Sequence, residues 1–391
     1  MCYAETIRVL ADENEEYVTQ IRRRIHENPE IGWDVRQTAE LVRNELDQMG
    51  IPWQSINETG TIATLPGKPG GCVVALRADM DALPVQEATG LSFASKKPGF
   101  MHACGHDMHT AMLLGATRIL NSLPERPNDV RLIFQPAEEI GTGAFGMIDG
   151  GAIEGVDVIY GSHVFSCVES IEPGKVLLKT GALMAGSTKF EIRVEGHGGH
   201  GSQPEACDNP LPALVAMYTA INQIKSFFLR GDTPIVTSIG FIQCGTAMNI
   251  IPASGALGGT IRWFLPEDRD LVLRKIREIA ESCANIYHVK AVVHTTLFAD
   301  CVMNEANATE QAREALRALY GDDLLQETAK PLLGSEDFSF YCRDIPGVFA
   351  IIEGEIPGKA YPNHNPQFDI DEGYLKCGMA LYAQFAVSYH K

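Results

Sequence analysis

From Asn14 to Met49 apolar positions recur with helical spacing, and the Asn28-Pro29 dipeptide divides the run into two predicted helices. Gly50 follows the second, where a left-handed C-terminal cap belongs. Beyond it, short continuous apolar stretches alternate with helical ones. Cys72–Arg77, Val130–Phe134 and Val156–Tyr160 have strand length, whereas His109–Leu123 and Gly143–Gly150 read as helices. Strands that are apolar throughout and separated by helices predict an α/β fold. Its sheet is mixed and mostly parallel, with helices on both faces.

The rhythm changes after Thr180. Gly181–Ser187 is small and reads as a flexible linker, and Lys189–Val194 alternates like a half-exposed strand. A helix at Pro210–Phe227, strands at Ile235–Ile242 and Ala256–Phe264, a helix at Glu267–Tyr287 and a strand at Ala291–Leu297 complete a β-α-β-β-α-β order, the ferredoxin-like pattern. Strand-helix alternation then resumes with a helix at Ala308–Tyr320, a strand at Gly347–Ile352 and a helix at Glu372–Tyr389. The economical partition is a discontinuous α/β domain, residues 1–181 and 296–391, interrupted by an α+β domain at 182–295.

Composition narrows the function classes. Lys+Arg number 32 against 50 Asp+Glu, a formal net charge of -18, and so acidic a surface repels phosphate backbones and argues against a nucleic-acid partner. No run of about 18 apolar residues predicts a membrane span. Met1 to Tyr17 is acidic and lacks the basic start and apolar core of a secretory signal. The ten cysteines are scattered without a C-x-x-C pair, as expected of a cytoplasmic chain with mostly inert thiols.

The chemistry gathers where apolar strands end, the place where α/β sheets bind ligands. Asp79-Met80-Asp81 follows the first strand, His102 to His109 (HACGHDMH) the next loop, Glu138-Glu139 the strand VRLIFQ, and His163 the strand VDVIY. A fifth group, Asn363-His364-Asn365-Pro366, lies far downstream. These are the residue types that bind divalent metals. Adjacent glutamates at a turn leaving a strand can both face one site, one as a ligand and the other reaching a metal-bound water. Cys104 fits as well, since a coordinated thiol is deprotonated by its metal. The rival motif is Gly141-Thr142-Gly143-Ala144-Phe145-Gly146, which has the spacing of a dinucleotide fingerprint. Glu138 and Glu139 before it would face a pyrophosphate, which counts against that reading. No G-x-S-x-G for a serine hydrolase occurs. In the interrupting domain, a Gly-rich loop carries His200, and Asn249 and Arg262 follow; these three read as a polar wall facing substrate.

With these residues assembled, the chain resembles the di-metal amidohydrolases of the zinc exopeptidase clan. These include hippurate hydrolases, N-acyl-amino-acid aminoacylases and plant indole-acetyl-amino-acid hydrolases. The resemblance begins at Arg24–Glu30 and runs through RADMDALP, HACGHDMHT, QPAEE, GHGGHGSQP, NIIP, GTIR, GSEDF (Gly334–Phe338) and the late His364. It implies that Cys104, His106, Glu139, His163 and His364 hold two divalent ions, with Cys104 bridging, and that Glu138 is the general base. It implies that His200 stabilises the oxyanion from a partner subunit, and that Asn249 and Arg262 bind the substrate carboxylate or the tetrahedral intermediate. Asp79 stands where the wider clan has a histidine, so ligation falls to His106, and Asp79 and Asp81 become supports behind the ligands.

The function so implied is hydrolysis of an N-acyl amino acid to a carboxylic acid and a free amino acid. Zinc is favoured, with manganese, cobalt or nickel as alternatives. The expected assembly is a homodimer, or a higher homo-oligomer, formed through the inserted domain. A dipeptidase or small-peptide carboxypeptidase on the same metals is the enzymatic alternative; a ligand-binding protein that kept the fold is the non-enzymatic one.

Overall fold

Runs that are apolar at every position become strands buried on both faces. Val73–Asp79, Val158–Phe165 and Gly347–Glu353 are almost wholly inaccessible to solvent. The computed structural model describes residues 3–391, so Met1 and Cys2 lie outside the described residues. The chain divides into two units. One comprises Met1–Leu183, Val302–Pro331 and Asp337–Lys391; the other comprises Met184–Cys301 and Leu332–Glu336.

The first unit is built on an eight-stranded sheet, ordered Trp53–Ile56, Gly60–Leu65, Asp129–Gln135, Val73–Asp79, Val158–Phe165, Gly347–Glu353, Val176–Leu177, Leu325–Gln326. The four strands from Asp129–Gln135 to Gly347–Glu353 run parallel, and their carboxyl ends share one edge. The Trp53–Leu65 hairpin extends this sheet antiparallel. Its strands, unlike the parallel ones, lack a long apolar run to announce them in the sequence.

Helices Tyr3–His26, His106–Ser122 and Gly373–Ser388 pack on one another beside the face that carries Val74, Leu76 and Ala78. A Cβ on Gly378 would lie 1.9 Å from the Met112 sulfur, so this crossing needs a glycine. Because side chains alternate, Arg77 and Asp79 point to the opposite face. There Arg77 meets Gln135 and Asp337.

The second unit has an antiparallel sheet ordered Val236–Cys244, Ser254–Trp263, Gly186–Glu195, Lys290–Ala299, with helices Pro210–Ile221 and Pro266–Ile286 packed on it. That is the strand order of the ferredoxin-like pattern.

Several expected boundaries shift. The predicted Gly181–Ser187 linker is instead strand, Gly181–Met184 followed at once by Gly186–Glu195. The return near residue 295 falls after Cys301, because Lys290–Ala299 stays paired with Gly186–Glu195 along most of its length. The short segment Leu332–Glu336 also groups with the second unit. The Pro210–Phe227 helix divides into Pro210–Ile221 and Ile224–Phe228. The first helix starts at Tyr3 rather than Asn14.

One buried ion cluster ties the N-terminal helix to the rest of its unit. Arg22, 2% exposed, donates to Asp107 at 2.9 Å, Asp369 at 3.2 Å and Glu372 at 2.9 Å. His26 meets the same Asp107 oxygen at 2.8 Å. Burial alone would raise the Asp107 pKa, but Arg22 and His26 hold it well below the usual carboxylate range. Removing one member of such a cluster leaves a buried charge uncompensated. Arg22→Met is therefore expected to cost about 3–5 kcal/mol in urea unfolding. Arg22→Met combined with Asp107→Asn should cost less than Arg22→Met alone; a double variant no more stable than that single one contradicts the charge account.

Candidate metal centre

The carboxyl edge of the parallel strands receives the predicted clusters one by one. The Val73–Asp79 strand ends on Asp79, with Asp81 two residues further. Both are fully buried. Asp79 accepts from Arg77 Nη1 at 2.5 Å and from His109 Nδ1 at 2.6 Å. Burial would raise its pKa, but His106, Arg77 and His109 hold it well below the ordinary value. Asp81 uses both oxygens on backbone: Oδ1 accepts the Glu138 N–H at 2.9 Å and Oδ2 the Glu139 N–H at 3.2 Å. The preceding residue, Ala137, sits at φ 61°, a left-handed conformation costly for a residue with a Cβ. The Asp81 carboxylate thus holds the turn that sends two successive glutamates off one strand.

Helix His106–Ser122 begins three residues earlier than its apolar period suggests, because Gly105 at φ 89° turns the chain into it. A Cβ at Gly105 would meet Val164 at 2.4 Å, so only glycine lets this loop approach the neighbouring strand. His106 donates from Nδ1 to the Asp81 carbonyl at 2.7 Å, which turns Nε2 away from that bond. Burial would lower its pKa, but Asp79 and Cys104 hold it well above the ordinary value. His163 does not follow its strand, as expected from the sequence; Val158–Phe165 continues through it. Its Nδ1 donates to the Val164 carbonyl at 2.8 Å, and its Nε2 lies 3.4 Å from Cys104 Sγ. Burial, with His109 and His106 adding to it, pushes the His163 pKa well below 6.5, so the ring is neutral. His364 approaches from the C-terminal loop, its Nε2 3.3 Å from Cys104 Sγ and 3.8 Å from Glu139 Oε1.

Ligand-type atoms of Cys104, His106 and His163 all lie within 4.8 Å of one another, as do those of Cys104, Glu139 and His364, and those of His106, Glu138 and Glu139. His106 Nε2 is 3.9 Å from both Glu138 Oε2 and Glu139 Oε1. His106 Nε2 and Glu139 Oε1 are buried without a hydrogen-bond partner. Burial pushes the Cys104 thiol well above its ordinary pKa, with Glu139 adding to the rise. Burial also lifts Glu139 to about 7, opposed by His106 and reinforced by Asp81. Buried polar atoms without partners, a thiol that cannot ionise unaided and crowded carboxylates share one remedy, a cation among them. The donor set of sulfur, imidazole and carboxylate suits divalent transition metals.

The other two histidines of the motif differ. His109 has both nitrogens engaged, Nδ1–H to Asp79 and Nε2 accepting the Val164 N–H at 2.9 Å. His102 is buried with neither nitrogen bonded, its pKa pushed down to about 3 by burial.

The sequence reading did not single out Arg77, Gln135 or Asp337. Arg77 donates to Asp79, to Gln135 at 2.9 Å and to Asp337 at 2.8 Å, all with almost no exposure. An arginine at the end of an otherwise apolar strand, CVVALR, was the available signal. The rival glycine motif also resolves. Helix Gly143–Asp149 aims its first amides at a carboxylate, with Ala144 N–H donating to Asp337 at 2.9 Å.

In the second unit, His200 pairs with Ile250 in a two-residue ribbon, and the Asn249 carbonyl accepts the Gly201 N–H at 2.9 Å. The exposed His200 ring takes the Ser202 backbone N–H on Nδ1 at 3.2 Å, and the Ser202 hydroxyl lies 2.8 Å from the same atom. Nδ1 is therefore the acceptor and Nε2 carries the proton, a donor facing outward. Arg262 does not join the wall expected from the sequence. The ribbon lies beside the Ser254 end of strand Ser254–Trp263, which pairs with Glu195, whereas Arg262 pairs with Ser187 at the far end. Eight residues of strand separate Ser254 from Arg262, about 26 Å at ~3.3 Å per residue. Arg262 instead hydrogen-bonds Ser335.

A parallel-centred α/β sheet with buried sulfur, imidazole and carboxylate donors at its carboxyl edge defines a metal-dependent hydrolase. Residues 75–388 match the profile of peptidase family M20/M25/M40, and the chain belongs to that family as a hydrolase of amide bonds. It is 38% identical to thermostable carboxypeptidase 2 of Saccharolobus solfataricus, over 96% of either chain. It is 36% identical to the hippurate hydrolase of Campylobacter jejuni, over 95% of this chain and 96% of that one. A Bacillus subtilis crystal structure described as a dinuclear metal binding peptidase from the M20 family superposes with a TM-score of 0.82. It is 33% identical and is covered over 98% of its length, and 96% of this chain.

Nine cysteines are free among the described residues, and Cys104 alone stands among the ligand-type clusters. Cys377 is equally buried, but burial pushes its thiol up to about 12, and it belongs to the hydrophobic core. Cys104→Ser should lose bound metal by elemental analysis, whereas Cys377→Ser should retain it. Equal metal content in the two variants would contradict the centre. Cys2, expected to be equally inert, lies outside the described residues.

Proposed function

We propose that the protein hydrolyses the amide bond of N-acyl amino acids, with Cys104, His106, Glu139, His163 and His364 holding two divalent ions and Cys104 shared between them. The observation that carries this reading is the Asp81 clamp. By binding both backbone amides, it sends Glu138 and Glu139 from one turn to the same His106, 3.9 Å from each. Glu139 also approaches His364 and serves as a ligand; Glu138 serves as the base. Metal bound there supplies Lewis acidity at the acyl carbonyl and makes water acidic enough to ionise near neutral pH. Zinc suits the thiolate and imidazoles best, with manganese, cobalt and nickel as alternatives.

Glu138 takes the proton of the attacking water and later delivers it to the leaving amine. His200, with Nε2–H turned outward, donates to the oxygen on which negative charge develops. Arg262 offers a planar fork to the substrate carboxylate, and Asn249 adds an amide beside His200. Asp79 and Asp81 keep His109 and the glutamate turn in place. A reducing cytosolic setting fits the free thiols. The strong likeness to a carboxypeptidase supports a second reading, cleavage of small peptides on the same centre. Turnover of N-acetyl and N-benzoyl amino acids against dipeptides separates the two. Faster dipeptide cleavage by the metal-loaded enzyme favours the second.

Glu138→Gln is expected to lower kcat by roughly 10²–10⁴-fold while metal stays bound, because it removes a proton acceptor and leaves the five ligands intact. A variant with near wild-type kcat sinks the assignment.

The separation of His200 from Arg262 along one strand supports assembly of each site from two copies. Exposed apolar residues on helix Pro210–Ile221 (Leu211, Val215, Tyr218) and on the edge strand Val236–Cys244 (Val236, Phe241, Ile242) give the second unit a self-association face. Mixing inactive His200→Ala with inactive Glu138→Gln chains then tests the arrangement. In a mixed dimer the Glu138→Gln chain lends its His200 to the site that retains Glu138. Random exchange should restore about a quarter of wild-type activity, since half the dimers are mixed and each has one whole site of two. No recovery in demonstrably mixed dimers places His200 within its own chain's site or outside catalysis.

A further inference from the structure

The loop that brings His364 to Cys104 has little regular structure to hold it. Residues 362–367 form turns, and His364 itself sits at φ 70°, left-handed for a residue with a Cβ. Its ring is 55% exposed, so burial does not fix it. Three sets of bonds tie the loop to the rest of the unit. The His364 N–H donates to the Ala103 carbonyl at 2.7 Å, and the Pro366 carbonyl accepts the Ala88 N–H at 2.8 Å. The neighbouring side chain, Asn363, supplies the third. Its Nδ2 donates to the carbonyls of Cys104 and Val164, each at 3.2 Å, and its Oδ1 accepts the Ser166 N–H at 3.3 Å.

Those three contacts tie the loop to two other stretches of chain. Cys104 lies in the loop before helix His106–Ser122, Val164 follows His163 in its strand, and Asn363 precedes His364. An amide is the only side chain of this size that offers two donors on one side and an acceptor on the other. The orientation is also fixed: reversing the amide would set oxygen against two carbonyls and nitrogen against an N–H. We infer that Asn363 is a positioning residue for the metal centre. Without touching an ion, it holds the backbones bearing Cys104, His163 and His364 in register, so that three donor atoms converge. The strained φ of His364 makes this necessary, because a loop free to relax would swing the imidazole away.

The inference rests on the metal-centre reading and is tested apart from it. Zinc affinity of wild type, Asn363→Ala and Asn363→Asp is measured by competition with a chromophoric chelator. The thermal midpoint is recorded with and without zinc. Both variants are expected to bind zinc about 10–100-fold more weakly, the range for partners that orient metal ligands. Asn363→Asp should be the weaker binder, since its carboxylate oxygen faces the Cys104 and Val164 carbonyls. Lost hydrogen bonds alone would lower the midpoint equally with and without zinc. Weakened binding instead shrinks the rise that zinc produces, which follows the dissociation constant. Wild-type affinity and a wild-type zinc-induced rise in both variants overturn the role of Asn363. A wild-type protein that binds no zinc, manganese, cobalt or nickel overturns the metal centre itself, and this inference with it.

Discussion

Like charge crowded into a dry place is the constraint on which this structure depends. Asp79, Asp81, Glu138 and Glu139 converge at the carboxyl edge of one sheet, nearly out of solvent. Buried carboxylates that lack partners are costly, and the two aspartates have theirs. Asp79 takes a guanidinium and an imidazole N–H. Asp81 takes two backbone amides. Glu139 Oε1 is left without a protein partner, as is His106 Nε2, and these two atoms face each other at 3.9 Å. The fold pairs both aspartates and leaves unsatisfied two atoms that a cation would engage.

Arg77 carries much of this balance. From one strand position it reaches Asp79 on the ligand side and Gln135 and Asp337 behind it, and Asp337 in turn caps helix Gly143–Asp149. The glycine-rich turn Gly141–Gly146 therefore has an internal anion at its helix, and a pyrophosphate would compete with a fixed carboxylate. Glycine is needed there for another reason: a Cβ at Gly143 would lie 1.9 Å from the Pro136 carbonyl, so the chain doubles back tightly behind the two glutamates. The spacing that imitates a nucleotide fingerprint is a by-product of that doubling back.

Much of the first unit was legible because apolar runs and metal-ligand types are local signals. CVVALR, VRLIFQ and the HACGHD group could be read without knowing what lay beside them. What escaped depends on contacts distant in sequence. Arg77 looks like the polar end of an apolar strand until Asp337, 260 residues on, is placed beside it. His163 reads as following its strand, but parallel pairing with Gly347–Glu353 extends that strand through Phe165. The helix after the HACGHD loop starts early because Gly105 supplies a left-handed turn that no apolar period records. In the second unit the β-α-β-β-α-β rhythm was readable, yet glycine and alanine disguised two successive strands as a linker.

The placement of His200, Asn249 and Arg262 is the most instructive, because groups assigned one role stand apart along one chain. His200 and Asn249 share a ribbon through the Gly201–Asn249 bond. Arg262 belongs to the opposite end of the adjoining strand. A strand is too stiff to fold its two ends onto one small substrate, so a single copy of this unit cannot present all three groups to the same amide bond. If the three act on one substrate, two copies must supply them. A polar ribbon at one end of a sheet and an arginine at the other then cease to be a failed cluster and become the two halves of one.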